Sequence, residues 1–339
     1  MNQQRKENNN ALSWLLEAQD PGVRYLALRD LVEKAPEDPE LVIARNEAHT
    51  HGPIATVLEN MQPEGYWVRP GPGYTNKYRS TVWALILLAQ LGAQADQDER
   101  IMGGCSYLME HALAKGGQFN VYGNPSSTID CLQGNLCWAL LELGYRDPRL
   151  GSAFEWMART VTGEGMAPRT DKDAELRYYA YKCGPRFACG PNYAQPCAWG
   201  ATKVMLAFGK LPAADRTPLI EKAIQTGVDF FFSTEPSKAD WPTRLGDKPS
   251  RNWWKFGFPV FYVTDLLQVA EALVALGYAQ DPRLANSLEL IQSKQDEQGR
   301  WALEYDYIGK TWGNYGVKKE ANKWVTLRAL RVLKRAKFD

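Results

Sequence analysis

Apolar residues recur at intervals of three and four positions along most of the chain, and this spacing predicts amphipathic helices. No segment shows the alternation typical of a half-buried strand. The predicted helices come in pairs, in which a strongly apolar run ends at a glycine and a more amphipathic run follows. The apolar runs end at Gly92, Gly144, Gly209 and Gly277, and the second helices are predicted over residues 97–114, 147–161, 213–232 and 281–295.

Two stretches repeat this pairing in almost the same letters. Residues 139–150 read ALLELGYRDPRL, and residues 272–284 read ALVALGYAQDPRL. In each stretch the glycine suits the left-handed C-terminal cap of one helix, and Asp-Pro suits the N-cap and first position of the next. The sequence therefore predicts an all-α repeat of about twelve or thirteen helices, in which each pair needs its neighbours to bury its apolar face.

The composition predicts a globular protein without a polyanionic partner. With 339 residues, a formal charge of +1 and 45% hydrophobic residues, the chain can bury a large core and has no excess charge for nucleic acid. No apolar run approaches the ~18 residues that cross a bilayer, and the polar opening MNQQRKENNN does not resemble a signal peptide. Six cysteines without a disulfide-type spacing favour a reducing compartment, so we expect a cytoplasmic location; the oligomeric state is left open.

A shared motif follows the second helices near the front and the back of the chain. Residues 62–67 read QPEGYW, and residues 295–301 read QDEQGRW. This loop resembles the repeat of squalene cyclases and protein-prenyltransferase β subunits, and the resemblance extends from residue 53 to residue 334. It implies a single (α/α)5–6 toroid over residues 53–339, with inner helices around a central cavity. Residues 1–52 are then an N-terminal helical cap or a degenerate first repeat.

The resemblance also implies where chemistry should lie. In such a toroid the N-terminal ends of the inner helices meet at one mouth of the cavity, where backbone N–H groups favour anions. Counting back twelve residues from each glycine reaches Ser80, Leu132, Cys197 and Asp265. The candidate catalytic residues at this level are Asp130 and Asp265 as acid or base, Cys131 and Cys197 as auxiliary thiol or base, and Tyr262 as a donor.

These candidates also have structural interpretations. Asp130 follows Ser-Ser-Thr-Ile and can cap a helix, and Cys131 can serve as a small buried apolar residue. Asp265 enters an apolar helix, where burial would favour the protonated acid, but it can equally cap that helix or pair with an arginine. The sequence leaves both interpretations open.

A zinc–thiolate site is a second, less favoured possibility. Cys131, Cys189 and Cys197 can supply thiolates to a tetrahedral zinc ion. No histidine follows these cysteines, and their spacings differ from Cys-x-x-Cys, so free thiols without a cofactor are favoured. The Asp-x-Asp-Asp motif of squalene cyclases and the Asp-Asp-x-x-Asp cluster that binds Mg²⁺ are also absent from the sequence. The known catalytic signatures of the family therefore do not carry over.

Aromatic residues concentrate in the loops that lead into the predicted inner helices. In a toroid these loops line the mouth, so they can form a wall for an apolar or aromatic small molecule. For Trp67 and Trp301 the packing of one repeat on the next is the favoured role. The candidate substrate-binding residues are Tyr74, Tyr78, Tyr193, Trp253, Trp254 and Phe258.

The last helix, predicted over residues 323–337, carries Arg328, Arg331 and Arg335 on one face. A solvated outer face is the favoured interpretation of these arginines. Overall, the sequence predicts an enzyme of the lyase or isomerase type, with acid–base chemistry (isomerisation, cyclisation, elimination or hydration) on a terpenoid-like or aromatic small molecule. A zinc–thiolate enzyme and a non-catalytic lipid- or peptide-binding toroid are the alternatives.

Overall fold

Helices form almost all of the regular structure in the computed structural model, which describes residues 10–179, 182–244 and 248–337. The all-α prediction is confirmed. Within those residues the one two-stranded sheet pairs β1 (Ala188–Cys189) with β2 (Gln195–Pro196) in antiparallel fashion. The α-helices are α1 (10–15), α2 (Pro21–Ala27), α3 (Pro39–Thr50), α4 (Pro53–Glu59), α5 (Thr81–Leu91), α6 (Glu99–Ala112), α7 (Asp130–Glu142), α8 (Arg149–Thr162), α9 (Ala198–Lys210), α10 (Pro218–Phe231), α11 (Leu266–Ala275), α12 (Ala285–Ser293) and α13 (Lys323–Arg335).

Three of the four predicted glycine stops are present. Gly92, Gly144 and Gly277 follow α5, α7 and α11 with φ of 85°, 73° and 95°, the left-handed conformation that glycine adopts without strain. The stop predicted at Gly209 is wrong, because α9 continues through this residue to Lys210. A Cβ on Gly209 would lie 2.9 Å from the Cβ of Ala275, so this glycine permits close packing against α11.

The helices pack as pairs and also from one pair to the next. α6, α8, α10 and α12 each contact the apolar helix that precedes them. The apolar helices contact one another in the series α5–α7–α9–α11–α13, and α13 also contacts α2. One hydrophobic cluster includes residues from Ala11 to Ala336. Within the series, α7, α9 and α11 thus each pack against an apolar helix on both sides.

The motif loops of the sequence have a packing role. The Trp67 and Trp301 side chains are fully buried, as predicted. The Trp67 backbone N–H donates to Thr81 Oγ1 at 3.1 Å, and the Trp301 backbone N–H donates to Thr326 Oγ1 at 2.9 Å. The indole N–H of each tryptophan donates to a carbonyl of the preceding second helix, at 2.7 Å in both cases. The two motifs are therefore structurally equivalent, and each connects two helices through hydrogen bonds of its tryptophan.

The prediction of a solvated arginine face on α13 is wrong for Arg328 and Arg331, whereas Arg335 is exposed. Arg328 is only 6% exposed, since it forms ion pairs at 3.0 Å with both Asp265 and Glu271. Arg331 contacts Asp30, which lies after α2. Arg328 and Arg331 face other helices rather than bulk water. None of the helices in the described part of the chain combines the length and apolar character needed to cross a bilayer.

Candidate active site

Predicted thiols and a carboxylate converge at the N-terminal ends of α7 and α9. Asp130 is the first residue of α7, and Cys197 is the N-cap residue of α9. Gly200 lies between them: a Cβ on this glycine would be 3.3 Å from Asp130 Cβ, 3.8 Å from Cys131 Sγ and 3.9 Å from Cys197 Cβ. The structure therefore brings together three of the five predicted catalytic residues.

Cys197 has the chemical environment of a reactive thiol. A hydrogen bond from the Cys189 thiol lowers the pKa of Cys197 to about 7, and the backbone N–H groups of Gly200 and Trp199 act in the same direction. Burial opposes this shift without cancelling it. The lowered pKa favours the thiolate, which is the nucleophilic and basic form of cysteine.

The neighbouring Cys189 thiol is shifted the opposite way. The hydrogen bond to Cys197, together with burial, raises the pKa of Cys189 well above its usual range. The short hairpin of β1 and β2 holds the pair, since Cys197 N–H donates to the Phe187 carbonyl at 2.9 Å and Ala194 N–H to the Cys189 carbonyl at 3.0 Å. Two adjacent groups with pKa values moved apart are suited to act as base and acid.

Asp130 lies beneath this pair and is buried. Burial raises the pKa of Asp130 to about 7, although the Cys183 thiol donates to its Oδ1 at 2.7 Å. Its side chain caps no helix, because Ile129 occupies the N-cap position of α7. Burial also raises the pKa of Cys131 well above its usual range. Asp130 therefore carries an exchangeable proton at neutral pH, whereas Cys131 stays protonated.

A cavity of about 400 Å³ opens beside the Cys189–Cys197 pair, and both cysteines line it. Its walls include Trp199, Trp241 and Trp253, and the Trp241 and Trp253 rings lie 5.0 Å apart. We call this space the thiol cavity. Its volume falls in the range of small-molecule sites, and its aromatic walls suit an apolar or aromatic ligand.

On one side of the thiol cavity, hydrogen bonds join the hairpin to the loop that carries Trp241. Asn192 Nδ2 donates to the carbonyls of Pro196 and Pro242, at 2.8 and 3.0 Å. The Arg244 backbone N–H donates to Asn192 Oδ1 at 2.8 Å, and Arg244 also lines the cavity. These bonds fix the loop that carries Trp241 against the hairpin that carries Cys189.

The predicted substrate-binding residues do not form a single wall. Trp253 lines the thiol cavity, but the Trp254 indole N–H donates to the Ser237 carbonyl at 3.0 Å. Tyr193 is 74% exposed at the hairpin turn. Phe258 stacks on Trp324 at 4.6 Å, outside the thiol cavity. Neighbours in the sequence thus face different parts of the molecule.

Tyr74, Tyr78 and Tyr262 belong to a separate aromatic cluster around Trp83. Their ring centroids lie 5.4, 4.9 and 5.2 Å from the Trp83 ring. Burial raises the pKa of Tyr74 to about 12 and also raises the pKa of Tyr262, and the nearby Cys131 acts in the same direction on both. This cluster therefore borders the Cys131 side of the site.

Asp265 has the contacts of a structural carboxylate. It caps α11 by accepting from the Gln268 N–H at 2.8 Å, and it accepts from Arg328 at 3.0 and 3.1 Å. The Gly257 N–H donates to it at 3.3 Å. Both structural interpretations of this residue hold together, which leaves its carboxylate without a free position for acid–base chemistry.

Sequence reasoning missed two features of the site. It treated Cys189 only as a possible zinc ligand, and it did not single out Trp199 or Arg244. The adjacency of Trp199 to Cys197 was a usable signal, whereas the contact of Arg244 with Asn192 depends on a loop about fifty positions away. Among the residues that the structure describes, no three His, Cys, Asp or Glu side chains are grouped as metal ligands.

The sequence matches no known protein family and no curated protein. The site therefore has to be interpreted from its own chemistry.

Proposed function

We propose that this protein is an enzyme that isomerises an apolar or aromatic small molecule by proton transfer in the thiol cavity. Cys197 is the base and Cys189 the acid. The observation that carries the proposal is the pair itself: two thiols that line one aromatic cavity, with the pKa of Cys197 lowered to about 7 and that of Cys189 raised. The class of reaction is the acid–base chemistry expected from the sequence.

The thiol pair suits an isomerisation because the proton balance closes without another reactant. The Cys197 thiolate takes a proton from one carbon of the ligand, and the Cys189 thiol gives a proton to another carbon. Cys197 is then protonated and Cys189 ionised. The hydrogen bond between them returns the proton to Cys189 and restores the starting state.

We infer that Asp130 acts on this pair of thiols through its charge and does not contact the ligand. It is buried and does not line the thiol cavity. Its charge affects the titration of Cys189 and Cys131, so its protonation sets the electrostatic background of the reaction. This role replaces the direct acid role expected from the sequence.

We also propose that the helix pairs form the α/α toroid expected from the family resemblance. The series of contacts from α5 to α13 supports it, as does the contact of α13 with α2. The approach of Leu26 in α2 to Gly92 after α5 supports a closed ring, since a Cβ on Gly92 would lie 2.7 Å from a Leu26 methyl. In such a ring the thiol cavity lies at the N-terminal end of α9.

The proposed function is tested by incubating the purified protein with a small-molecule extract and comparing products by chromatography and mass spectrometry. We expect the wild type to deplete a compound and produce an isomer of identical mass. Cys197→Ser and Cys189→Ala should each lose at least 100-fold of this rate, in the range of a single acid–base group. Cys105→Ala removes a buried thiol of α6 and serves as the matched control.

Each alternative gives a different result. Full activity in both the Cys197 and Cys189 variants would refute the assignment of the thiol pair. Stoichiometric zinc in the wild type, lost in the Cys197 variant, would favour the zinc–thiolate enzyme instead. A compound that stays bound without conversion would favour a binding protein.

A further inference from the structure

A second cavity, which we call the interhelix cavity, lies among the apolar helices. Its volume is about 380 Å³, in the range of small-molecule sites. It shares no lining residue with the thiol cavity. Residues of α2, α5, α7, α9, α11 and α13 line it, and on α11 and α13 the lining residues extend from near the helix start to the C-terminal end. The six helices thus enclose a space unrelated to the thiol pair.

The walls of the interhelix cavity carry more basic than acidic side chains. All three arginines of α13 line it, and Arg335 is also exposed to solvent. The five basic residues in the walls are Arg29, Lys210, Arg328, Arg331 and Arg335, and the three acidic residues are Asp30, Glu142 and Glu271.

Ion pairs with the acidic residues of the walls do not neutralise all of this positive charge. Asp30 contacts both Arg29 and Arg331, and Glu142 contacts both Arg29 and Lys210. Two negative charges are therefore paired with three positive charges. Arg335 is exposed and forms no ion pair with any residue that the structure describes. The cations at this end of the cavity are therefore available to an acidic ligand.

Two buried amide side chains that line the cavity each have a polar atom without a partner among the described residues. Asn135 is 5% exposed and Gln268 is 8% exposed. The Lys203 amine donates to Gln268 Oε1, and Asn135 Nδ2 lies 3.5 Å from the Phe261 carbonyl. No described residue bonds to Asn135 Oδ1 or to Gln268 Nε2. Polar groups of buried residues normally have partners, and both residues line the cavity, so these two atoms are suited to contact a bound polar molecule.

The geometry points to a binding site for a small organic carboxylate with a planar apolar body. The carboxylate would pair with Arg331 and Arg335, as guanidinium groups bind planar acids. The apolar body would contact Trp138, which also lines the cavity and lies one helical turn before Glu142 on α7. The inference does not depend on the isomerase proposal, because the two cavities have no residue in common.

The test uses benzoate as the probe, with the uncharged benzamide as its matched control, and measures both by isothermal titration calorimetry. We expect benzoate to bind and benzamide to bind at least tenfold more weakly. Arg335→Gln should weaken benzoate binding at least fivefold without disturbing an ion pair. Arg146→Gln, an exposed arginine outside both cavities, should leave binding unchanged.

Arg244→Gln distinguishes benzoate binding in the interhelix cavity from binding in the thiol cavity, because Arg244 lines only the thiol cavity. Benzoate binding that is unaffected by this change but weakened by Arg335→Gln supports the inference. Arg335 also lies in the last turn of α13, where a cation stabilises the helix C-terminus. If that were its only role, Arg335→Gln would leave benzoate binding unchanged. That result, equal binding of benzamide, or dependence on Arg244 alone would overturn the inference.

Discussion

At the residue scale, a comparison of Cys197 with the cysteines of the core shows how the surroundings of a thiol determine its pKa. Cys105 and Cys137 are buried among apolar side chains, where burial raises the pKa of each thiol above its usual range. Cys197 instead occupies a helix N-cap, where backbone N–H groups and the Cys189 thiol stabilise its charged form. The same side chain is therefore held as the neutral thiol in the core, whereas at the thiol cavity the thiolate is favoured.

This difference is measurable as a pH profile. We predict that the rate of Cys197 alkylation by iodoacetamide rises with pH to half its maximum near pH 7, because the thiolate is the reacting form. Cys189→Ala removes the strongest donor, so the midpoint should move upward, toward the value of about 8.5 of a free cysteine. Peptide mass spectrometry after timed quenching measures this rate at the single residue.

Cys105→Ala is the control for that experiment, because it removes a thiol far from the hairpin and should leave the midpoint unchanged. A midpoint near 8.5 in the wild type, or one that Cys189→Ala does not move, would contradict the role of the hydrogen bond.

At the element scale, α7 and α9 make the closest helix contact of the site. A Cβ on Gly134 would lie 2.3 Å from the backbone carbonyl carbon of Lys203. The absence of a side chain at Gly134 therefore lets the two helix backbones approach, and this approach places Asp130 beside Cys197. The contact belongs to the helices as rigid elements, because backbone atoms cannot move aside as a flexible side chain can.

We predict that Gly134→Ala lowers the free energy of unfolding by about 3 kcal/mol, the upper range for overpacking a core. Gly151 is the matched control: it lies within α8, and an added Cβ there would meet nothing within 4 Å. Gly151→Ala should raise the same free energy by about 0.5–1 kcal/mol, because alanine favours the helix. Urea denaturation measures both, and equal effects would contradict the close contact.

The helix pairing was predictable because it depends on local chemistry. Gly92 and Gly277 end helices through their own backbone freedom, and twelve residues before each glycine the sequence count reached the N-cap residues Ser80 and Asp265. Gly209 failed this rule because its role depends on Ala275, a partner distant in sequence. A glycine that ends a helix and one that admits a neighbouring helix look alike in the sequence.

The candidate site was less predictable, since periodicity does not reveal what a polar face contacts. The arginines of α13 have the spacing of a solvated face, but they line the interhelix cavity. Trp253 and Phe258 are five positions apart, yet they face different cavities. The convergence of Asp130 with Cys197 was partly predictable, because both lie near helix starts. Their pKa values depend on burial and on Cys189, which a sequence pattern does not contain.

At the scale of the whole molecule, ion pairs connect the first helices to the last. Asp30 follows α2 and contacts Arg331 of α13, and Lys323 at the start of α13 contacts Glu17 and Asp20, both at 2.9 Å. Lys334 contacts Glu33 at 2.9 Å. The segment before α3 is therefore bound to the final helix, which is the outcome expected if it completes the repeat.

We predict that Asp30→Asn lowers the free energy of unfolding by about 2 kcal/mol, because it leaves Arg29 and Arg331 short of a partially buried partner. Arginine contacts lower the pKa of Asp30 although burial acts against them. The contribution is therefore complete above the unfolded pKa of 3.8 and declines as the pH falls below it. Chemical denaturation at pH 7 and at pH 3 measures the difference.

Glu33→Gln is the control, because this ion pair joins the same two segments but the Glu33 side chain is 70% exposed, against 12% for Asp30. It should change the free energy of unfolding by less than about 0.5 kcal/mol, the range of surface pairs. Equal effects of the two substitutions would mean that burial does not set the strength of the connection.

Lys203, fully buried in α9, gives that helix a fixed rotation about its axis. Burial lowers the pKa of this lysine to about 7, and its amine donates to Gln268 on α11. A one-residue rotation turns a helix by about 100° and would move the amine into apolar surroundings, at a high cost in free energy. Other rotations of α9 about its axis are thus disfavoured, and Cys197 at the start of this helix keeps one orientation. The buried lysine thus determines the direction in which the start of α9 presents Cys197.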